Sequence, residues 1–363
     1  MSIRAALIGS GGWGSTHTAN WKRLESEGLI TFAGVCDVNP ENQVPGVPFF
    51  ATDDALYDAV QPDVVSIAAG IPVHRKLLLN ALAHGCSVLL EKPAAATGDE
   101  VEAMKFGSEI YAGNFALIAF QFLYTPETEM LKKAILNGTY GKLQSIRVRG
   151  AVKRNDAYYN RNNWAGRIRD PRTGQPVWDS PLSNAFAHYL NLALYCAGME
   201  LERSACVEHL ENVRLVKARP EIENFDSCSF RAWTREEISI DVFFSHTTAE
   251  TEWPNLCFAF DSGNRIIWSP SEWIAVDPGD NVLERITFAE DPQYHMFRTV
   301  AEMAAGEAPR YGICTLETAL EHTRCVELIQ RYPVAIDKEA VRHEDEGGFY
   351  TNSADFCCDL PQL

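Results

Sequence analysis

The chain has 363 residues, 46% of them hydrophobic and 22% charged, with a formal net charge of −17. That length accommodates two domains and a sizeable core. The acidic balance argues against docking on nucleic acid or anionic membrane, which needs a basic patch, and no apolar run approaches the roughly eighteen residues of a membrane-spanning helix.

The first residues enter an apolar stretch with no basic-then-apolar leader, so a cytoplasmic location is expected. Residues 3–8 (IRAALI) read as a buried strand and 13–26 as a helix. Between them Gly9, Gly11 and Gly14 stand in G-x-G-x-x-G spacing, and a second strand at 30–36 (ITFAGVC) ends at Asp37. The context makes the motif specific. Gly9 permits a tight turn, Gly11 lets the backbone approach a pyrophosphate, and Gly14 lets helix and strand pack closely. The helix start offers N–H groups and a positive dipole end to phosphates. Asp37 is placed to accept hydrogen bonds from ribose hydroxyls and to repel a 2′-phosphate, which favours NAD over NADP.

Further strands are predicted at 63–69, 86–90 and 115–120, with a helix from His74 to His84 stopped by Gly85. Strands alternating with helices imply a doubly wound parallel sheet. Gly70-Ile71-Pro72, Glu91-Lys92-Pro93 and Gln121 each follow a strand and so fall on the carboxyl edge, where such sheets bind ligands. The expected cofactor site therefore comprises Gly9, Ser10, Gly11, Gly12, Trp13, Gly14, Asp37, Gly70, Ile71, Pro72, His74, Glu91, Lys92 and Gln121. Lys92, just past a buried strand, can exchange a proton with a substrate oxygen or donate a hydrogen bond to it. The Lys92–Pro93 bond is a candidate cis peptide.

From about residue 124 the pattern changes to period two, which marks a mixed or antiparallel sheet with one polar face. In 143–153, Ile146, Val148 and Gly150 point one way while Arg147 and Arg149 point the other; Ile238, Ile240, Val242 and Phe244 share a face further on. The domains are expected at 1–123 and 124–363, the latter ending in an acidic tail.

Two stretches of the second region carry chemistry. KRNDAYYNRNNWAGRIRD (153–170) is rich in hydrogen-bonding and stacking side chains. Its Arg154, Tyr158, Arg161 and Trp164 suit a polyol-like substrate. DSPLSNAFAHYLNLALYCAG (179–198) predicts a helix with Ser180 as N-cap, Pro181 as first residue and Gly198 as stop. It is apolar on nearly every side except a stripe of Asn184, His188, Asn191 and Tyr195. Such a stripe on a buried helix must face partners or a cavity. His188 can act there as general acid or base, with Asn184 and Asn191 holding hydroxyls. The ten cysteines show no C-x-x-C pair and are expected as reduced core thiols, the adjacent Cys357 and Cys358 included. No metal site is expected.

The chain resembles the Gfo/Idh/MocA oxidoreductase family, which includes glucose–fructose oxidoreductase and inositol dehydrogenase. The likeness rests on GSGGWG (9–14), Asp37, the Ile71-Pro72-Val73-His74 turn, EKP (91–93), NGTYGKLQSI (137–146) and the NAFAH helix. It implies an α/β architecture, an N-terminal Rossmann domain followed by a C-terminal α+β domain with an open-faced mixed sheet. It implies NAD(P)-dependent hydride transfer at a sugar or polyol carbon, with Lys92 and His188 catalytic. It also implies a homodimer or homotetramer formed through the C-terminal sheet. Where the family commonly carries D-x-G-x-H-x-x-D, this chain has Asn184, Phe186 and Asn191 in place of Asp, Gly and Asp. Asn cannot accept a proton. Two alternatives therefore stand beside dehydrogenation: glycosidic cleavage through transient oxidation by bound NAD, and a non-catalytic NAD-binding regulatory role.

Overall fold

The computed structural model describes residues 2–111 and 113–353; Cys357 and Cys358 lie outside them. Among these residues two compact units form, 2–129 with 289–320, and 130–288 with 321–353. The observed units thus depart from the division expected at 123/124 over 124–129 and 289–320, which fall in the first unit.

The first unit is built on six parallel strands: β1 (Ile3–Ile8), β2 (Ile30–Cys36), β3 (Phe49–Phe50), β4 (Val64–Ile67), β5 (Ser87–Leu90) and β6 (Ala116–Ile118), in the order β3-β2-β1-β4-β5-β6. Their last residues lie side by side. Ile8 pairs with Cys36 and Ile67, Ile67 with Leu90, and Leu90 with Ile118. Helices α1 (Gly14–Ser26), α2 (Asp53–Val60), α3 (His74–Ala83) and α4 (Gly98–Ile110) run between the strands. Thr52 and Thr97 cap α2 and α4 by accepting from Ala55 and Glu100 N–H. A helix α5 (Pro126–Leu136) follows.

The second unit carries β7 (Leu143–Ala151), the one-turn helix α6 (Asp156–Tyr159), α7 (Ala187–Ala197), then β8 (Val207–Lys217), β9 (Ser227–Thr234), β10 (Ser239–Ser245), β11 (Glu252–Phe260), β12 (Arg265–Ser269), β13 (Glu272–Val276) and β14 (Val282–Thr287). After α8 (Pro292–Ala304), which belongs to the first unit, come α9 (Leu316–Ile329), β15 (Val334–Ile336) and the hairpin of β16 (Val341–His343) and β17 (Phe349–Thr351). Nine strands form one sheet, β14-β13-β12-β11-β7-β10-β9-β8-β15. It is mixed: β10 lies parallel to β7 and antiparallel to β9. Ile146, Val148, Ile240, Val242 and Phe244 are all buried, as the alternation requires, while Arg147, Arg149, Arg231 and Asp241 are not.

The helix expected over 179–198 begins only at Ala187. Residues 181–186 form turns instead, closed by Asn184 N–H to Ser180 C=O and Phe186 N–H to Pro181 C=O. Ser180 does not cap; its N–H donates to Ser183 Oγ, which donates in turn to Trp178 C=O. Phe186, at the N-cap, lies flat on Phe244 with ring centroids 4.4 Å apart. At the other end, fully buried Lys132 donates to the carbonyls of Tyr195 and Gly198. That satisfies acceptors a helix end leaves open.

The eight described cysteines are free thiols, and burial pushes those of Cys36, Cys86, Cys196 and Cys325 up to about 12. Among the described residues no helix is long and apolar enough to cross a membrane.

Helix α8 is held to the first unit by Phe297, which meets the Trp21 ring edge-on at 4.8 Å and the His17 ring at 5.0 Å. Replacing this fully buried side chain by Ala should cost about 3–5 kcal/mol. Phe297→Ala is expected to lower the melting midpoint by several degrees in circular dichroism. An unchanged midpoint would show that the 289–320 segment contributes nothing to the first unit.

Candidate functional site

The turn between β1 and α1 is shaped by what its glycines lack. Gly9 has φ +83°, and its N–H donates to Cys36 C=O at 2.8 Å. A Cβ on Gly14 would stand 1.9 Å from Gly9 O, so only glycine lets α1 start against this turn. Gly12 has φ +53° with nothing within 4 Å of where a Cβ would be, which leaves that side of the turn open.

Asp37, at the end of β2, is 9% exposed. Its Oδ2 accepts from Ser10 N–H at 2.8 Å and Gly11 N–H at 3.2 Å, and its Oδ1 from Asn39 N–H at 2.8 Å. Burial opposes its charge, but donors from Asn39, Asn42, Gly11 and Ser10 outweigh that and hold the carboxyl below its usual range. The carboxylate therefore clamps the glycine turn as well as marking the strand end.

Glu91 does similar work one strand pair away. Its Oε1 accepts from Trp13 Nε1 at 3.0 Å and lies 3.0 Å from His17 Nε2, while Oε2 accepts from Lys92 N–H at 3.0 Å. Burial disfavours its charge, yet the hydrogen bond and charge of His17, with Lys92, hold the carboxyl low. Glu91 was expected to touch the cofactor. Its carboxylate instead ties α1 to the Lys92 turn. His74 differs in the same way. It is buried, with Nδ1 3.2 Å from the carbonyls of Pro93 and Ala94 and Nε2 3.0 Å from Ala69 C=O. Its ring joins the turns after β4 and β5. Lys92 is half-buried and precedes Pro93 through a cis peptide bond. Gly70, Pro72 and Gln121 are half-buried at the same sheet edge, and Ile71 is buried.

In the second unit, Asp179 is the residue that the sequence reading missed. It is 3% exposed and accepts from Gly166 N–H at 2.7 Å, from Asn184 Nδ2 at 3.0 Å and from Arg161 Nη2 at 3.3 Å. One carboxylate thus gathers the polar loop and the turn that leads into α7. Arg161 stacks on Tyr158 at 4.0 Å and on Trp164 at 5.4 Å, so those three candidates are adjacent. Asn184 lies on the turn, not on the helix with His188, as the late start of α7 dictates. His188 is half-buried in the first turn of α7. Asn191 is fully buried, and neither its amide nitrogen nor its oxygen has a hydrogen-bond partner among the described residues. Among the described residues no cluster of His, Cys, Asp and Glu could hold a metal ion.

Because the Glu91 carboxyl is held low, the stability it adds is present above the usual glutamate value of 4.5 and is lost as pH falls through the folded value. Glu91→Gln should lower stability at pH 7 by about 1.5–3 kcal/mol and flatten the acid limb of melting temperature against pH. Parallel acid limbs for variant and parent would remove the charge from this account.

Residues 3–106 match the model of the Gfo/Idh/MocA oxidoreductase family, NAD-binding Rossmann fold. An inositol 2-dehydrogenase of Burkholderia multivorans is 26% identical over 39% of this chain and 43% of its own length. A glucose-6-phosphate 3-dehydrogenase of Bacillus subtilis is 28% identical over 48% of this chain and 50% of its own. The chain thus spans about half the length of these curated relatives. The WlbA dehydrogenase of Bordetella pertussis, solved with NADH and UDP-GlcNAcA, shares the fold with a TM-score of 0.72 over 91% of this chain and 96% of its own, at 18% identity. With its glycine turn, strand order and aligned strand ends, the 3–106 segment of this chain matches the NAD-binding Rossmann fold of the Gfo/Idh/MocA oxidoreductase family.

Proposed function

We propose that the protein is an NAD-dependent dehydrogenase acting on a CH–OH group of a sugar, sugar derivative or polyol. The observation that carries this reading is the row of strand ends in the first unit, where the glycine turn, Asp37 and Lys92 follow β1, β2 and β5 on one edge. The names of the relatives, an inositol dehydrogenase and a sugar-phosphate dehydrogenase, support the substrate class.

The residues present fit a dinucleotide. The open side at Gly12 leaves room for the pyrophosphate against the start of α1, and the Asp37 carboxylate stands where the adenosine ribose would be read. When bound, NAD supplies the acceptor for the hydride removed from carbon. Lys92 takes the proton from the substrate hydroxyl or steadies its oxygen, its backbone held by the Glu91 tie. In the second unit, His188 is the residue suited to general acid–base work, and Asn184, oriented by Asp179, to hydrogen-bonding a hydroxyl. The Asn at position 184 cannot itself take up a proton.

NADH formation followed at 340 nm with a panel of sugars and inositols tests the reading. Lys92→Met should cut kcat by about 10²–10⁴-fold while calorimetry still detects NAD binding. Full turnover in that variant would take Lys92 out of the reaction. The Asp37 charge should make NAD bind more tightly than NADP, and Asp37→Ala should narrow the ratio; equal affinities in the parent protein would overturn the assignment of Asp37.

A further inference from the structure

A cluster of arginines in the second unit differs in how its charges are met. Arg219 and Arg342 both pair with Asp156, and Arg161 pairs with Asp179. Arg154 has no carboxylate within ion-pair distance among the described residues. Its N–H donates to His246 C=O at 3.2 Å, and its Nε is buried with no acceptor. Its guanidinium lies 4.6 Å over the Tyr158 ring, which the Arg161 guanidinium also occupies at 4.0 Å.

Three further polar atoms in this cluster are buried without a partner, Tyr158 Oη, Arg219 Nε and His246 Nε2. The His246 ring, 1% exposed, lies 5.3 Å from that of Tyr158 and 5.5 Å from that of Phe186, the residue that opens α7. Its other nitrogen is 2.9 Å from Tyr159 Oη. Burial, then the charges of Arg154, Arg161 and Arg219, keep His246 neutral, so it adds no charge of its own. The nearby recess of about 160 Å³ lined by Asp156, Arg219 and Arg342 is already supplied with an anion by Asp156.

A half-buried guanidinium with no counter-ion, sharing a ring with a second cation, carries a desolvation cost and a repulsion that a bound anion would relieve. A chain with 49 acidic and 32 basic residues has carboxylates to spare, so leaving this Arg without one is a local choice. We propose that Arg154 and Tyr158 form an anion-recognition subsite that takes a carboxylate or phosphate group carried by the sugar. The planar fork of Arg suits both groups. The sugar half of this inference rests on the dehydrogenase reading; the anion half does not.

The test is isothermal titration of the full-length protein with glucose, glucuronate and glucose 6-phosphate, which needs no turnover. At least one anionic sugar should bind about tenfold or more tightly than glucose, as a charge-assisted hydrogen bond allows. Preference for glucuronate identifies a carboxylate, preference for glucose 6-phosphate a phosphate, and either supports the subsite. Arg154→Gln should bring the anionic sugar down to the affinity of glucose. Arg154→Lys, which keeps the charge without the fork, should retain part of the preference and covers the case in which the Gln variant fails to fold. If neither anionic sugar outbinds glucose, or if a folded Arg154→Gln keeps the preference, the subsite is overturned. A preference without NADH formation would leave the subsite standing and remove the dehydrogenase reading. Turnover of neutral sugars with no preference would do the reverse.

Discussion

The carbonyl oxygen of Gly9 lies 1.9 Å from where a Cβ on Gly14 would stand, so α1 can begin where it does only because position 14 has no side chain. That close approach sets the first unit. It brings Trp13 and His17 over the end of β5, where both reach Glu91. Glu91 in turn receives the Lys92 N–H, so the approach of one helix to one strand is transmitted to the Lys92 backbone at the sheet edge.

Carboxylates recur as the struts of this molecule. Asp37 and Glu91 gather N–H donors in the first unit, and Asp179 and Asp156 gather donors in the second. In each case the charged oxygens are bonded to groups from separate stretches of chain, which a neutral acceptor would hold less firmly. A large acidic excess is therefore compatible with ordered loops, because part of the negative charge is directed inward onto backbone N–H groups and arginines. The hairpin of β16 and β17 uses the same device, docking on the polar loop through Arg342 to Asp156 and through Asp156 N–H to Gly348 C=O.

The parts legible in the sequence are those governed by local pattern. The bounds of β1 and β2 follow from short runs of buried residues closed by glycine or Asp, and the face shared by Ile240, Val242 and Phe244 follows from alternation. The start of α7 was not legible. Ser180-Pro181 has the form of a helix entry, but the Ser183 hydroxyl and the stacking of Phe186 on Phe244 hold those residues in turns. Long-range contacts were equally hidden. His17 and Glu91 are 74 residues apart, and neither position carries a mark of the other. Asp179 reads as the residue before a helix cap, whereas its partners come from loops on both sides. The membership of α8 in the first unit depends on Phe297 meeting Trp21, which no periodicity within 292–304 encodes.

Asp37 carries two duties in one side chain, and this bears on any attempt to redesign which dinucleotide the protein accepts. Removing the carboxylate to admit an extra phosphate would also release the Ser10 and Gly11 amides that it clamps, loosening the turn between β1 and α1. A retuned variant would need a neutral acceptor kept at position 37, with the new positive charge installed at its neighbour Val38, whose side chain stands 95% open to solvent.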